Sequence, residues 1–204
     1  MSVPAAMELA EREVEALALG VRRSTVELQA GSRAAGAGVA WGGDLVITNA
    51  HVALRDRLTV VRPDGETRAG RVLSRDPGRD LALVLVPRLD LDPISFGKSE
   101  RLRPGMMVFA LGHPLGVVGA LSTGVVHAVG ASFLLPAYGP RQHRWLQLDM
   151  AVAPGNSGGP VLDTGGEVVG LTTMIVHGLT LAVPSEEALR WAARRVGSCP
   201  PSTS

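Results

Sequence analysis

The sequence predicts an all-β protein built from two packed six-stranded β-barrels, with a helix at each end. Three observations predict it. The 25 glycines and 14 prolines cut the chain into many short segments, as strands joined by turns require. Short apolar runs recur between those turns. The runs form two sets, separated by a polar connector from Leu89 to Pro104. Hydrophobic residues make up 46% of the 204, ample for a core, but aromatics are only 3%, so that core must be aliphatic.

The elements follow in order. Met7, Ala10, Val14, Leu17 and Val21 recur at steps of three and four, which predicts an amphipathic helix from Pro4 to Leu19, ended by Gly20. From Ser24 the period changes. Thr25 to Leu28 alternates loosely, and Gly36 to Trp41 and Leu45 to Thr48 read as strands divided by the Gly42-Gly43-Asp44 turn. Leu58 to Val61 and Thr67 to Leu73 flank Pro63-Asp64-Gly65, a hairpin signal. Leu81 to Val86 is a continuous apolar run, as in a strand buried on both faces. The second set is Met106–Leu111, Ser122–Val129, Trp145–Leu148, Pro160–Leu162, Val168–Met174 and Leu179–Val183. Ser185 is placed to cap a last helix, with Glu186-Glu187 in its first turn and Arg194-Arg195 in its last. The expected organisation is therefore an N-terminal helix over 1–20, a first barrel over about 21–100, a second over about 105–184, a helix over 185–196, and a disordered Pro/Ser-rich tail over 197–204.

Charge and cysteine usage exclude several classes. Lys and Arg (20) nearly balance Asp and Glu (19), which argues against a nucleic-acid surface or a polybasic membrane patch. The single cysteine, Cys199, forbids an internal disulfide. No stretch is apolar enough to span a membrane, and Glu8, Glu11, Glu13 and Glu15 interrupt any signal-peptide core, so the expected location is the cytoplasm. His51, His113, His127, His143 and His177 form no ligand pair at helical spacing, so neither a metal nor another cofactor is expected. Gly112-His113-Pro114-Leu115-Gly116 lacks a P-loop lysine and reads as a turn, with His113 structural. Phe133 to Tyr138 gathers two of the few aromatics in a loop that either meets a partner or packs on the second barrel.

Three segments carry chemistry. Pro154-Gly155-Asn156-Ser157-Gly158-Gly159-Pro160 sets a serine among glycines, where backbone N–H groups can converge on a carbonyl oxygen. Thr48-Asn49-Ala50-His51-Val52 holds a histidine at the end of an apolar strand, as a general base requires. Arg79-Asp80 precedes the buried strand. Alone, each is also compatible with a glycine-rich turn, a surface histidine or a turn-forming aspartate. Together they give the chain order His, Asp, Ser, which is that of chymotrypsin-like enzymes and not of subtilisins or α/β-hydrolases.

Thr48–Val52, Arg75-Asp76-Pro77 to Val84, Leu148-Asp149 and Pro154–Pro160 resemble the HtrA/Deg family of serine proteases, with support from Leu111–Gly116 and Leu181–Ser185. The resemblance runs from Val21 to Pro184. It implies a chymotrypsin/trypsin-like fold of two perpendicular barrels, with His51 and Asp80 from the first and Ser157 from the second. It implies an ATP-independent serine endopeptidase acting on unfolded or damaged polypeptides. Ser157 is then the nucleophile, His51 the base, Asp80 its orienting partner, and the N–H groups of Gly155 and Ser157 the oxyanion hole. On the same pattern Val152, Ile175 and Val176 line the primary specificity pocket, and Thr173 hydrogen-bonds near Asp80 and the substrate backbone. Ala151 stands where trypsin-like enzymes carry an acid, so small or medium aliphatic P1 residues are favoured over charged ones. Relatives form trimers, so a homo-oligomer is expected here, through the N-terminal helix or the Phe133–Tyr138 loop. Relatives also suggest the cell envelope as an alternative to the cytoplasm. Two features depart from the family. Members commonly carry C-terminal PDZ domains, which this sequence does not show, and the loop Val176-His177-Gly178-Leu179 is shorter than usual. These departures keep a second reading open, a peptide-binding or chaperone-like module with a misassembled site.

Overall fold

The computed structural model describes residues 3–31, 33–114, 117, 119–133 and 143–196. The Phe133–Tyr138 loop beyond Phe133, Leu115-Gly116 and the tail from Gly197 lie outside the described residues. Twelve strands are formed among the described residues, and they close into two six-stranded barrels. The first contains β1 (Thr25–Ala30), β2 (Arg33–Gly42), β3 (Leu45–Thr48), β4 (Arg57–Val61), β5 (Thr67–Asp76) and β6 (Leu81–Leu85). It closes in the order β1-β2-β3-β6-β5-β4. The second contains β7 (Met107–Gly112), β8 (Ala120–Phe133), β9 (His143–Met150), β10 (Pro160–Leu162), β11 (Val168–Val176) and β12 (Leu179–Pro184), in the order β10-β11-β12-β9-β8-β7. Every pairing between these strands is antiparallel. Closure leaves no open sheet edge, which sheets this short need to avoid.

Strand ends differ from the expectation because pairing, not apolar content, sets them. Strand β5 runs to Asp76 rather than Leu73, since Ser74, Arg75 and Asp76 stay in register with Leu83, Ala82 and Leu81 of β6. Strands β8 and β9 likewise extend past their apolar cores, to a Phe133–His143 pair. The hairpin at Pro63-Asp64-Gly65 forms as expected. Arg62 N–H bonds the Glu66 carbonyl at 2.8 Å, and Gly65 takes φ +87°, which a turn glycine adopts without strain. In the connector, Phe96 makes a bridge to Val168, and Ser99–Arg101 forms a 3-10 turn.

Helix α1 spans Val3–Arg22, so Gly20 does not end it. Val21 is buried in the core and anchors the last turn, which outweighs the roughly 1 kcal/mol that an interior glycine costs. Helix α2 spans Ser185–Val196 and buries Ala188, Trp191 and Ala192. Ser185 does not serve as its cap. Its hydroxyl donates to the Gly97 carbonyl (2.9 Å) and accepts the Ser99 N–H (3.3 Å), tying the connector to the helix.

Each barrel has its own aliphatic core: Val26, Leu28, Val46, Val60 and Val84 in the first, Val108, Leu146, Leu148, Val161 and Val169 in the second. A third cluster joins the barrels. Val39, Ile47, Leu81 and Leu83 from the first meet Leu111, Leu162, Leu171 and Leu181 from the second. The aliphatic expectation therefore holds inside the barrels but not between them. All three tryptophans, Trp41, Trp145 and Trp191, lie in the joining cluster, where few residues must fill much space.

Candidate active site

The site lies where β3, the β5–β6 turn, the β10 entry and β11 meet. After Thr48 the chain leaves β3, and the Thr48 hydroxyl donates to the Ala37 carbonyl at 2.6 Å, fixing the exit. His51 follows, with about two-fifths of its side chain exposed. Its Nδ1 lies 2.8 Å from Asp80 Oδ2 and 3.0 Å from Oδ1, and its backbone N–H reaches Oδ1 at 3.1 Å. The ring is thus held at one edge, and Nε2 is directed away from Asp80.

Asp80 is buried and occupies the left-handed region, with φ +54°. Such a conformation is uncommon outside glycine, asparagine and aspartate, and marks an overdetermined position. The Asn49 side-chain amide donates to the Asp80 carbonyl at 2.9 Å. Thr173, on β11, donates its hydroxyl to Asp80 Oδ2 in a short hydrogen bond.

Ser157 comes from the turn between β9 and β10. Its carbonyl accepts the Ala37 N–H at 2.7 Å, a bond from the first barrel to the second. Gly158 N–H then bonds the Thr172 carbonyl at 2.7 Å, and Thr172 N–H bonds that of Gly159 at 2.9 Å. Gly36 permits the close approach, because a Cβ there would sit 2.6 Å from the Ser157 carbonyl oxygen. The Ser157 hydroxyl donates to the Thr173 carbonyl at 3.1 Å. Thr173 therefore links all three: its carbonyl holds Ser157 and its hydroxyl holds Asp80, which holds His51.

Gly155 takes φ +110°, a conformation that favours glycine. Neither its N–H nor that of Ser157 has an acceptor among the described residues. The Gly155 carbonyl is occupied by the His113 N–H at 3.2 Å.

His113, expected to be structural, supports the site from behind. It is buried, its Nδ1 accepts the Gly119 N–H at 3.3 Å, and its backbone packs against the Gly155 turn. Burial holds its pKa below the ordinary imidazole range; Glu27 opposes this and Arg22 adds to it. The neutral form is therefore the folded form. As pH falls below about 6.5, the unfolded chain gains a proton that the folded chain resists. Stability contributed by His113 is present above that pH and is lost on acidification, by at most about 1.4 kcal/mol per pH unit. His113→Asn is expected to flatten the fall of Tm between pH 7 and pH 5; an unchanged slope would remove His113 from the acid response.

The expected pocket residues are less closely grouped. Val152 packs on the core of the second barrel, Val176 packs on the cluster between the barrels, and Ile175 is 55% exposed. No group of histidine, cysteine, aspartate and glutamate suited to a metal occurs among the described residues. No described helix is long and apolar enough to cross a membrane.

Comparison with known proteins identifies the family. The sequence profile of the trypsin-like peptidase domain matches residues 36–171. HhoB of Synechocystis sp., named as a serine protease, is 37% identical over 147 residues, covering 70% of this chain and 35% of its own. A protein of Marinomonas sp. named as a DegP-like periplasmic serine endoprotease is 36% identical over 151 residues, covering 71% of this chain and 31% of its own. The chain thus spans about a third of the length of these relatives. Among solved structures, the HtrA-type protease AlgW with tripeptide superimposes with a TM-score of 0.78 at 27% identity, covering 87% of this chain and 62% of that one. The profile match over most of both barrels, together with the relatives, shows that this chain belongs to the trypsin-like peptidase family and is of the HtrA type.

Proposed function

We propose that this chain is a serine endopeptidase in which Ser157, His51 and Asp80 form the catalytic triad. The observation that carries the reading is the hydrogen-bond chain from Ser157 through Thr173 and Asp80 to His51. For attack, the Ser157 hydroxyl turns about χ1 from the Thr173 carbonyl to His51 Nε2. His51 takes its proton as Ser157 Oγ bonds to the peptide carbonyl carbon, and then protonates the leaving amine. Asp80 fixes the ring through Nδ1 and stabilises the imidazolium. The N–H groups of Gly155 and Ser157, which have no acceptor among the described residues, receive the oxyanion, each worth about 3 kcal/mol. No step calls for a nucleotide, so the reaction is ATP-independent. Water hydrolyses the acyl-enzyme by the same route in reverse.

Unfolded polypeptides are the substrate class that the family resemblance suggests. Val152, Ile175 and Val176 favour Val, Ala or Leu at P1. A buried methylene stabilises by about 0.8 kcal/mol, whereas burying an unpaired charge costs several times that. In a peptide library read by mass spectrometry, cleavage after these residues should exceed cleavage after Lys, Arg, Asp or Glu. Dominant cleavage after Lys or Arg would contradict the pocket while leaving the triad standing. The cell envelope is the favoured location, by analogy with the DegP-like relative. A homotrimer is the assembly that the resemblance suggests. Residues 21–196 form the protease unit, with residues 1–20 preceding it and packing Val14 and Leu17 of α1 onto its core.

The decisive experiment is labelling by a fluorophosphonate probe combined with casein hydrolysis. Only an assembled site reacts at Ser157, so absence of both would favour the peptide-binding alternative. A second check is the pH profile. A general base must be unprotonated to act, so kcat/KM is expected to fall on acidification, and a profile unchanged by acid would contradict the role of His51.

A further inference from the structure

We infer that the face formed by α2 and the β5–β6 turn is a binding site for a small phosphate-bearing anion, apart from the peptidase site. A cavity of about 320 Å³ opens there, lined by Arg79, Glu187, Arg190, Trp191, Arg194 and Arg195. Four guanidiniums thus face one hollow, and the nearby carboxylates are Glu187 and Asp76. Those two are already committed to Arg79 and Arg195. Arg79 Nη1 lies 2.8 Å from Asp76 Oδ2, Arg79 Nε lies 3.1 Å from Glu187 Oε1, and Arg195 Nη2 lies 3.8 Å from Asp76 Oδ2. Asp76 also accepts the Trp191 Nε1–H at 3.1 Å. Burial pushes the Asp76 carboxyl up, but the hydrogen bond and charge of Arg79 prevail and hold it below its ordinary range, so it stays charged and occupied.

Arg190 and Arg194 are different. Arg190 Nε donates only to the Glu186 carbonyl at 3.1 Å, and neither side chain has a carboxylate partner among the described residues. They stand four apart on α2, hence on one face, at the rim of the cavity. Arg195 stacks on the Trp191 ring at 4.6 Å, which fixes one wall. The hollow therefore keeps two unpaired cations above a floor whose charges are satisfied.

The geometry selects phosphate over carboxylate. The two unpaired guanidiniums stand on α2, and the Arg79 guanidinium of the β5–β6 turn lines the same hollow. A carboxylate offers two coplanar oxygens and suits one fork, whereas a phosphate group offers three or more oxygens to donors around it. The volume suits a small anion rather than a folded partner.

The inference does not rest on proteolysis, and the test uses the full chain carrying Ser157→Ala, so that self-cleavage cannot interfere. Inorganic tripolyphosphate is titrated by calorimetry at low and at physiological salt. One saturable site per chain is expected, weakening with salt. Arg190→Ala/Arg194→Ala should weaken it at least about tenfold, as the loss of two charge-assisted contacts requires. Both residues are exposed, so the double variant should fold with an unchanged Tm. Arg55→Ala/Arg57→Ala, at a separate basic hollow of the first barrel, should leave binding unchanged. Absence of saturable binding overturns the inference, as does equal loss in both double variants, which would mean diffuse attraction. Citrate binding as tightly as tripolyphosphate overturns the phosphate assignment.

Discussion

Ser157→Ala is expected to lower casein hydrolysis by about 10⁶-fold, with Tm and fold unchanged. The size follows from the unit character of a triad: without the oxygen nucleophile, the base and the orienting carboxylate have nothing to activate. What survives is catalysis by the oxyanion hole and by binding alone, about 10³–10⁴ over water. The fold should persist because the backbone of Ser157, not its hydroxyl, makes the cross-barrel bond to Ala37. Alanine keeps that carbonyl and gives up only the bond to Thr173. Retained casein cleavage by purified variant, free of contaminating protease, would mean that another residue is the nucleophile.

Asp80→Asn is expected to lower kcat by about 10⁴-fold. Asp80 accepts from His51 Nδ1, from the His51 backbone N–H and from the Thr173 hydroxyl. An asparagine amide has one acceptor oxygen where the carboxylate has two. Its NH2 group must therefore face either the imidazole or the threonine. Facing the imidazole, it forces the proton onto Nε2, so that His51 can no longer accept from Ser157. The effect should appear in kcat with little change in KM, because Asp80 is buried and touches no substrate. A loss under about tenfold on a peptide substrate would show that Asp80 does not set the tautomer.

Much of the fold was legible in the sequence because turns and apolar runs are local signals. Pro63-Asp64-Gly65, the Leu81–Val86 run and the α2 pattern each identify an element from its own residues. The ends of β5 and β8 were not legible, since they depend on what pairs across from them. Gly20 shows the same limit, as helix breaking there is overruled by the buried Val21. At the site, His51, Asp80 and Ser157 were marked by composition and order. Of their supports, Thr173 was reached through the family pattern, and the others were not legible. Ala37 and Gly36 act through backbone alone, and His113 acts by burial, for which its sequence surroundings carry no signal.

The bond between Ala37 N–H and the Ser157 carbonyl has a consequence for how this chain behaves while it is being made. The first barrel leaves the ribosome before Ser157 exists, and it holds a histidine and an aspartate with nothing to act on. The second barrel alone holds a serine whose turn lacks its brace. On the proposed triad, proteolytic competence is expected to arrive last, with the docking of the two barrels. A chain in which the two barrels have not docked is therefore expected to be inactive.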